Sequence, residues 1–196
     1  MRLETRRLIL RPFKNSDWKD IVQGIGDPEV AKFLAAPPCP YKKKDAIQWI
    51  KACKKDWKKK KRNNYWFAIE LRSEKKIIGA TDIFHVNHFA KIAKTGSWIA
   101  KKHQKKGYIT EAKVAIFDFV FNKLKFIRIG TEAFDINKAS NAMMKSLGHK
   151  YEGTARKAMR ARSTGKWHDL HNYGLLKEDW KKARPKVIKK LKRYKG

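Results

Sequence analysis

Residues 95–120 read TGSWIAKKHQKKGYITEAKVAIFDFV. Trp98-Ile99-Ala100 is rich in β-favouring residues and reads as the end of a strand. A short basic loop with one glycine, Gly107, follows. Ala112, Ala115, Ile116, Phe119 and Val120 then recur at helical spacing. Thr110 is a residue type that caps helices, and the spacing predicts a helix starting there. A helix that opens straight out of a strand leaves its first backbone N–H groups without partners, at the positive end of its dipole. Such a turn binds anions. Gly107 lets a phosphate come close to the backbone, and Lys105 and Lys106 add positive charge. A plain strand-to-helix connection has the same pattern, so from this stretch alone both readings stay open.

Upstream, YWFAIEL (Tyr65–Leu71) and KIIGATDIF (residues 76–84) are strand signals separated by the charged turn RSEK, and residues 95–100 add a third. Strands in immediate succession with tight turns form an antiparallel meander. RLILR (residues 7–11) is an earlier strand. Asn15-Ser16-Asp17 and Asp27-Pro28-Glu29 are helix starts. Gly24-Ile25-Gly26 lacks the third glycine of a nucleotide loop. PPCPY (residues 37–41) reads as an extended linker. Over residues 45–62, Ala46, Ile50, Cys53 and Trp57 make the apolar stripe of a helix whose other face is lysine. Downstream, residues 127–133 read as a strand and residues 138–147 as a helix ended by Gly148. Residues 151–156 and Trp167–Leu176 close the domain as a pair of strands. The fold class is α+β.

The chain has 196 residues, 42% hydrophobic and 12% aromatic, enough for one full core and too apolar for wholesale disorder. No apolar run reaches the ~18 residues of a membrane span. Two cysteines, Cys39 and Cys53, are too few for a disulfide framework, and the opening residues lack the form of a signal peptide. A cytoplasmic location is expected. Lys+Arg number 49 and Asp+Glu 18, a net charge of +31. Such a field attracts nucleic acid, acidic lipid or phosphorylated ligands, and it also keeps a protein dissolved. His85 and His88, like His168 and His171, have H-x-x-H spacing. On strands, residues three apart point to opposite faces, so no metal site is expected.

Residues 104–109, QKKGYI, resemble the Q/R-x-x-G-x-G/A pyrophosphate loop of the GNAT superfamily of acetyl-CoA-dependent N-acetyltransferases, with Ile109 in place of the final Gly or Ala. The resemblance continues through LETRRLILRPF (residues 3–13), Asp27-Pro28-Glu29-Val30, and Asn137-Lys138-Ala139-Ser140 opening a helix that ends Ser146-Leu147-Gly148. Glu152-Gly153 with Arg156, GKWHDL (residues 165–170) and YGLLKEDW (residues 173–180) extend it further. These segments look like the RimJ/RimL-like branch, which acetylates the amino termini of ribosomal proteins.

The resemblance implies an acetyltransferase domain over residues 1–180 and a basic tail over residues 181–196. The implied fold is a mixed, mostly antiparallel sheet splayed between its fourth and fifth strands, with helices on both faces. Acetyl-CoA would be the cosubstrate, with no metal, and would wedge into the split. The backbone of Trp98, Ile99 and Ala100 would bond the pantetheine arm. Gln104, Lys105, Lys106, Gly107, Tyr108, Ile109 and Thr110 would hold the pyrophosphate. Asn137 would contact the pantetheine and Ser140 would sit near the sulfur, although both residues also suit plain helix capping.

Family members often carry a glutamate just before the fourth strand, where this chain has Lys94. Asp82, His85 and Glu132 are the substitute candidates for a general base. At pH 7 an α-amine, with pKa about 7.7–8.0, needs only about 1–1.4 kcal/mol to lose its proton, and a lysine about 4.6. The expected acceptor is therefore a protein α-amine, by resemblance a ribosomal one, attacking directly in a ternary complex. The other readings are a small-molecule amine acceptor and a basic ribosome- or nucleic-acid-binding module on the same fold. RNA or ribosome association through the basic surface and tail is expected under the first reading as well.

Overall fold

The computed structural model describes residues 1–194. Along the chain come β1 (Leu3–Glu4), β2 (Leu8–Arg11), α1 (Trp18–Ile25), α2 (Pro28–Ala31), α3 (Lys43–Lys58), β3 (Tyr65–Leu71) and β4 (Lys76–Asn87). These are followed by β5 (Ile92–Lys94), β6 (Ser97–Ile99), α4 (Tyr108–Asp118), β7 (Arg128–Phe134), α5 (Lys138–Ser146), β8 (Lys150–Arg160), β9 (Trp167–Leu176) and α6 (Lys177–Leu191). The strands form one sheet in the order β1-β2-β3-β4-β5-β7-β9-β8, with β6 paired to β4 beside that path. Among these pairs only β5 and β7 run parallel. This is the mixed, mostly antiparallel sheet that the resemblance implies.

Strand alternation divides the interior into two cores. Leu8, Leu10, Phe67 and Ile69 face α4 and α6, where they meet Ala112, Ile116, Phe117 and Val187. Ala68, Ile77 and Ala80 face the other way, toward Ile21 and Ile25 of α1 and Ile50 and Cys53 of α3. Each of the large side chains contributes on the order of 1.5–3 kcal/mol by leaving water. Helices therefore cover both faces. Gly24 in α1 serves this packing: a Cβ there would lie 2.5 Å from the Trp98 ring.

The third strand expected at residues 95–100 is divided. Thr95 N donates to Gly130 O at 2.9 Å and Thr131 Oγ1 donates to Thr95 O at 2.8 Å, which ends the pairing with β7. From Gly96 onward the chain follows β4 alone, in register from Thr81↔Ser97 to Gly79↔Ile99. The sheet forks here, between the strand expected fourth and the strand expected fifth. Lys113, on α4 and 3% exposed, holds the fork: its Nζ donates to Thr95 Oγ1 and to Gly96 O, each at 2.7 Å. Asp82 on β4 accepts from the Gly96 N–H. Burial pushes the Lys113 ammonium down to about 8, against the attraction of Asp82. The same burial pushes the Asp82 carboxyl up.

Two boundaries differ from the expectation. The helix begins at Tyr108, because Gly107 turns the chain with φ +75°, and Thr110 is its third residue rather than its cap. The boundary drawn at 180/181 falls inside α6. That helix docks Trp180 and Val187 into the core and ties Arg184 and Trp180 to Asp118.

The buried Lys113 sets a pH dependence. Its folded pKa of about 8 lies below the unfolded value near 10.4, so between them the unfolded chain binds more protons. Its contribution to stability therefore rises with pH across that window. Denaturant unfolding of the parent and of Lys113→Met, from pH 7.5 to 10.5, should show the parent gaining about 3 kcal/mol relative to the variant. A constant difference would mean that Lys113 carries no such cost.

Candidate active site

The fork opens into a cavity of about 490 Å³. Ser97, Trp98 and Ile99 of β6 form one wall, and Thr131, Glu132, Ala133 and Phe134 of β7 the other. β6 is paired to β4 on one edge only, so its second edge is open to an extended ligand. Asn137 and Ser140 line the cavity from the start of α5. Asn137 caps that helix, its Oδ1 accepting from Ser140 N at 3.0 Å. Capping and cavity lining thus coexist in one residue.

One end of the cavity is the basic loop. Gln104, Lys105, Gly107, Tyr108, Ile109 and Thr110 line it, while Lys106 and Ala100 lie outside the lining. Ala100 N is taken by Ile78 O at 2.8 Å. Among the described residues, the backbone N–H groups of residues 105–110 have no protein acceptor, and α4 has no side-chain cap. Six open amides at the positive end of a helix form a ready anion site. Ile109 does not obstruct it, because its side chain packs against the main core.

Glu111, in the first turn of α4, puts a carboxylate near that site. It is neutralised from behind. Arg7 Nε donates to it at 2.7 Å, Arg7 N at 2.8 Å and Thr5 Oγ1 at 2.6 Å, with both charged side chains buried. Next to the loop, His103 is buried with no hydrogen-bond partner for either ring nitrogen, and desolvation lowers its pKa.

The other end is apolar. Val30, Phe33, Leu34 and Ala35 approach from the α2 side, and Met159 and Leu170 from the β8–β9 pair. Arg162 N donating to Ala35 O at 3.0 Å joins these two walls.

The three candidate bases are not brought together. Glu132 lines the cavity and is ion-paired with Lys94. Asp82 lies under the fork and does not line the cavity. His85 is exposed at an irregularity of β4, against Phe84, also outside the lining. Neither cysteine lines the cavity, and burial pushes the Cys53 thiol up. Among the described residues, no three His, Cys, Asp or Glu side chains converge as a metal site would require.

Sequence reasoning missed Lys113, His103, the Lys94–Glu132 pair and the apolar end. Lys113 left one signal, a lysine between Ala112 and Ile116 on the buried side of an apolar stripe. The Lys94–Glu132 pair spans a parallel β5–β7 contact that no local pattern announces.

Residues 7–150 match the model of the acetyltransferase (GNAT) domain. The uncharacterized N-acetyltransferase YnaD of Bacillus subtilis is 28% identical over 181 residues, 92% of this chain and 99% of its own. The crystal structure of the microcin C7 self-immunity acetyltransferase MccE, in complex with acetyl-CoA and AMP, superposes with a TM-score of 0.78 at 21% identity, covering 88% of this chain and 93% of that one. The ribosomal-protein-S5-alanine acetyltransferase of Vibrio fischeri superposes equally well, at 20% identity over 92% and 98% of the two chains. With the forked sheet and an open anion site inside the matched segment, the chain belongs to the GNAT acetyltransferase family and takes its acetyl group from acetyl-CoA.

Proposed function

We propose that the protein acetylates the α-amino group of a protein N-terminus: the neutral amine attacks the thioester carbonyl directly while both substrates occupy the cavity, the C–S bond breaks, and CoA leaves as its thiol after taking up the proton that the amine releases. Acetyl-CoA supplies an activated thioester carbonyl. The open edge of β6 at Trp98 and Ile99 would orient the pantetheine arm, the amides of residues 105–110 would hold the pyrophosphate, and Ser140, which lines the cavity, would lie near the sulfur. Holding two reactants in one cleft supplies much of the rate without a covalent enzyme intermediate.

The observation that carries the α-amine reading is the far end of the cavity. Its lining is apolar, and the one carboxylate lining the cavity as a whole, Glu132 on the β7 wall, is occupied by Lys94. Such a wall has no free acid to host a polyamine or to accept the proton of a strongly basic lysine. An α-amine is already partly neutral at pH 7. The ribosomal-protein acetyltransferase among the structural relatives supports the same acceptor class.

The charge fits a phosphate-rich docking partner. Lys181, Lys182, Lys186, Lys189 and Lys190 are exposed along α6, while Val187 anchors the helix. We infer that this face holds ribosomal RNA.

Two measurements test these readings. Peptides with a free α-amine should be acetylated with kcat/KM at least about 100-fold above the same peptides blocked at the N-terminus and carrying one lysine, given about 3 kcal/mol between the deprotonation costs. A faster lysine peptide would overturn the α-amine reading. Replacing the five α6 lysines by glutamate should weaken RNA binding and flatten its salt dependence by roughly 0.7–0.9 for each phosphate no longer neutralised. An unchanged slope would leave those lysines as solvated surface.

A further inference from the structure

We propose that Tyr194, just beyond α6, is a cofactor-contacting residue: it walls the phosphate end of the cavity and meets the nucleotide half of acetyl-CoA. The proposal rests on the cofactor of the family and concerns a residue outside the segment that the family model matches. The Tyr194 ring lies directly on Gly107. A Cβ built there would come within 2.7 Å of its Cε2 and 2.8 Å of its Cδ2. Gly107 therefore has two reasons to lack a side chain, the left-handed turn at φ +75° and the ring against its Cα.

Tyr194 borders the same cavity as Gln104, Lys105, Gly107 and Tyr108. It is held from behind. The Arg6 guanidinium donates to its backbone carbonyl. The Arg7 guanidinium, fixed by Glu111, lies 5.6 Å from the Tyr194 ring centroid and 4.4 Å from that of Tyr108. With the ring in place the cavity still measures about 490 Å³, so Tyr194 forms a wall and not a plug.

The chemistry of the ligand points the same way. If the amides of residues 105–110 take the pyrophosphate, the next group outward is the adenosine 3′-phosphate, a flat base with an added negative charge. A tyrosine beside a glycine, with arginines behind it, offers a face to the base. Stacking on one aromatic ring is worth about fivefold or more in affinity.

Calorimetry with CoA, and competition by 4′-phosphopantetheine, which lacks the nucleotide, separates the possibilities. Tyr194→Ala should weaken CoA at least fivefold and leave 4′-phosphopantetheine within twofold, which also reports an intact fold. Tyr194→Phe, keeping the ring, should bind CoA within twofold of the parent. Equal weakening of both ligands, an unchanged CoA affinity, or tighter CoA binding, the mark of a strap that competes with the ligand, would each overturn the proposal. Failure of the unaltered protein to bind CoA would remove the cofactor reading itself, and this proposal with it.

Discussion

Everything that makes this sheet usable depends on the fork at Thr95 and Gly96. Left to backbone pairing alone, β6 would continue beside β7 and close the gap, since each added ladder bond is worth on the order of 0.5–1.5 kcal/mol. The chain prevents this by taking the Gly96 carbonyl away from the ladder. Lys113 Nζ, Thr81 Oγ1 and Asp82 N all donate to it. Burying an ammonium is costly unless its protons are satisfied and a countercharge is near. Two short hydrogen bonds and Asp82 meet those conditions in part, and burial still holds the Lys113 pKa below that of a free lysine. A cost of this size is retained at the one point where the sheet must stay open.

The anion end is governed by a second constraint, the presence of Glu111 in the first turn of α4. A carboxylate there stabilises the helix but repels an incoming phosphate. Pairing it with Arg7, and with two further donors from the N-terminal segment, lets it stabilise the helix with its charge cancelled. The same pair fastens β2 behind the loop. Arg7 also lies between the rings of Tyr108 and Tyr194, so the N-terminal strand, the phosphate loop and the end of α6 meet around one guanidinium.

What the sequence made legible follows from how local each feature is. The strand-to-helix turn at residues 104–110 was readable because a strand, a glycine and an apolar helical stripe are contiguous. Period-2 and period-3.6 spacing marked the strands and the helix stripes, but the division of the interior into two cores is seen only in the folded chain. The cap of α4 was misplaced by three residues because a glycine turn and a threonine cap compete as signals and the backbone conformation at Gly107 prevailed. The fork was invisible as a split in one strand: it is made by Lys113, Asp82 and Thr131, which are distant in sequence. The apolar end of the cavity was equally illegible, since residues 30–35 meet the segments of the β8–β9 pair only in the folded chain.

The two ends of the cavity thus answer to different physics, and this bears on how the protein selects substrates. Under the proposed function, recognition through backbone amides at the loop end would depend little on which side chains flank Gly107, which is consistent with Ile109 there. The apolar end has no charge to aim an amine, so under the proposed function it discriminates by shape and by the acceptor's own acidity. With a surface of net charge +31, long-range attraction cannot bring a cationic acceptor to such an end, and it disfavours polyamines before they arrive. A neutral α-amine carried on a particle covered with phosphate meets the opposite balance: the carrier is attracted, and the reacting group enters an apolar cleft without leaving a charge behind. Under the proposed function, the basic surface and the apolar end are complementary parts of one selection, the first acting on the carrier and the second on the amine.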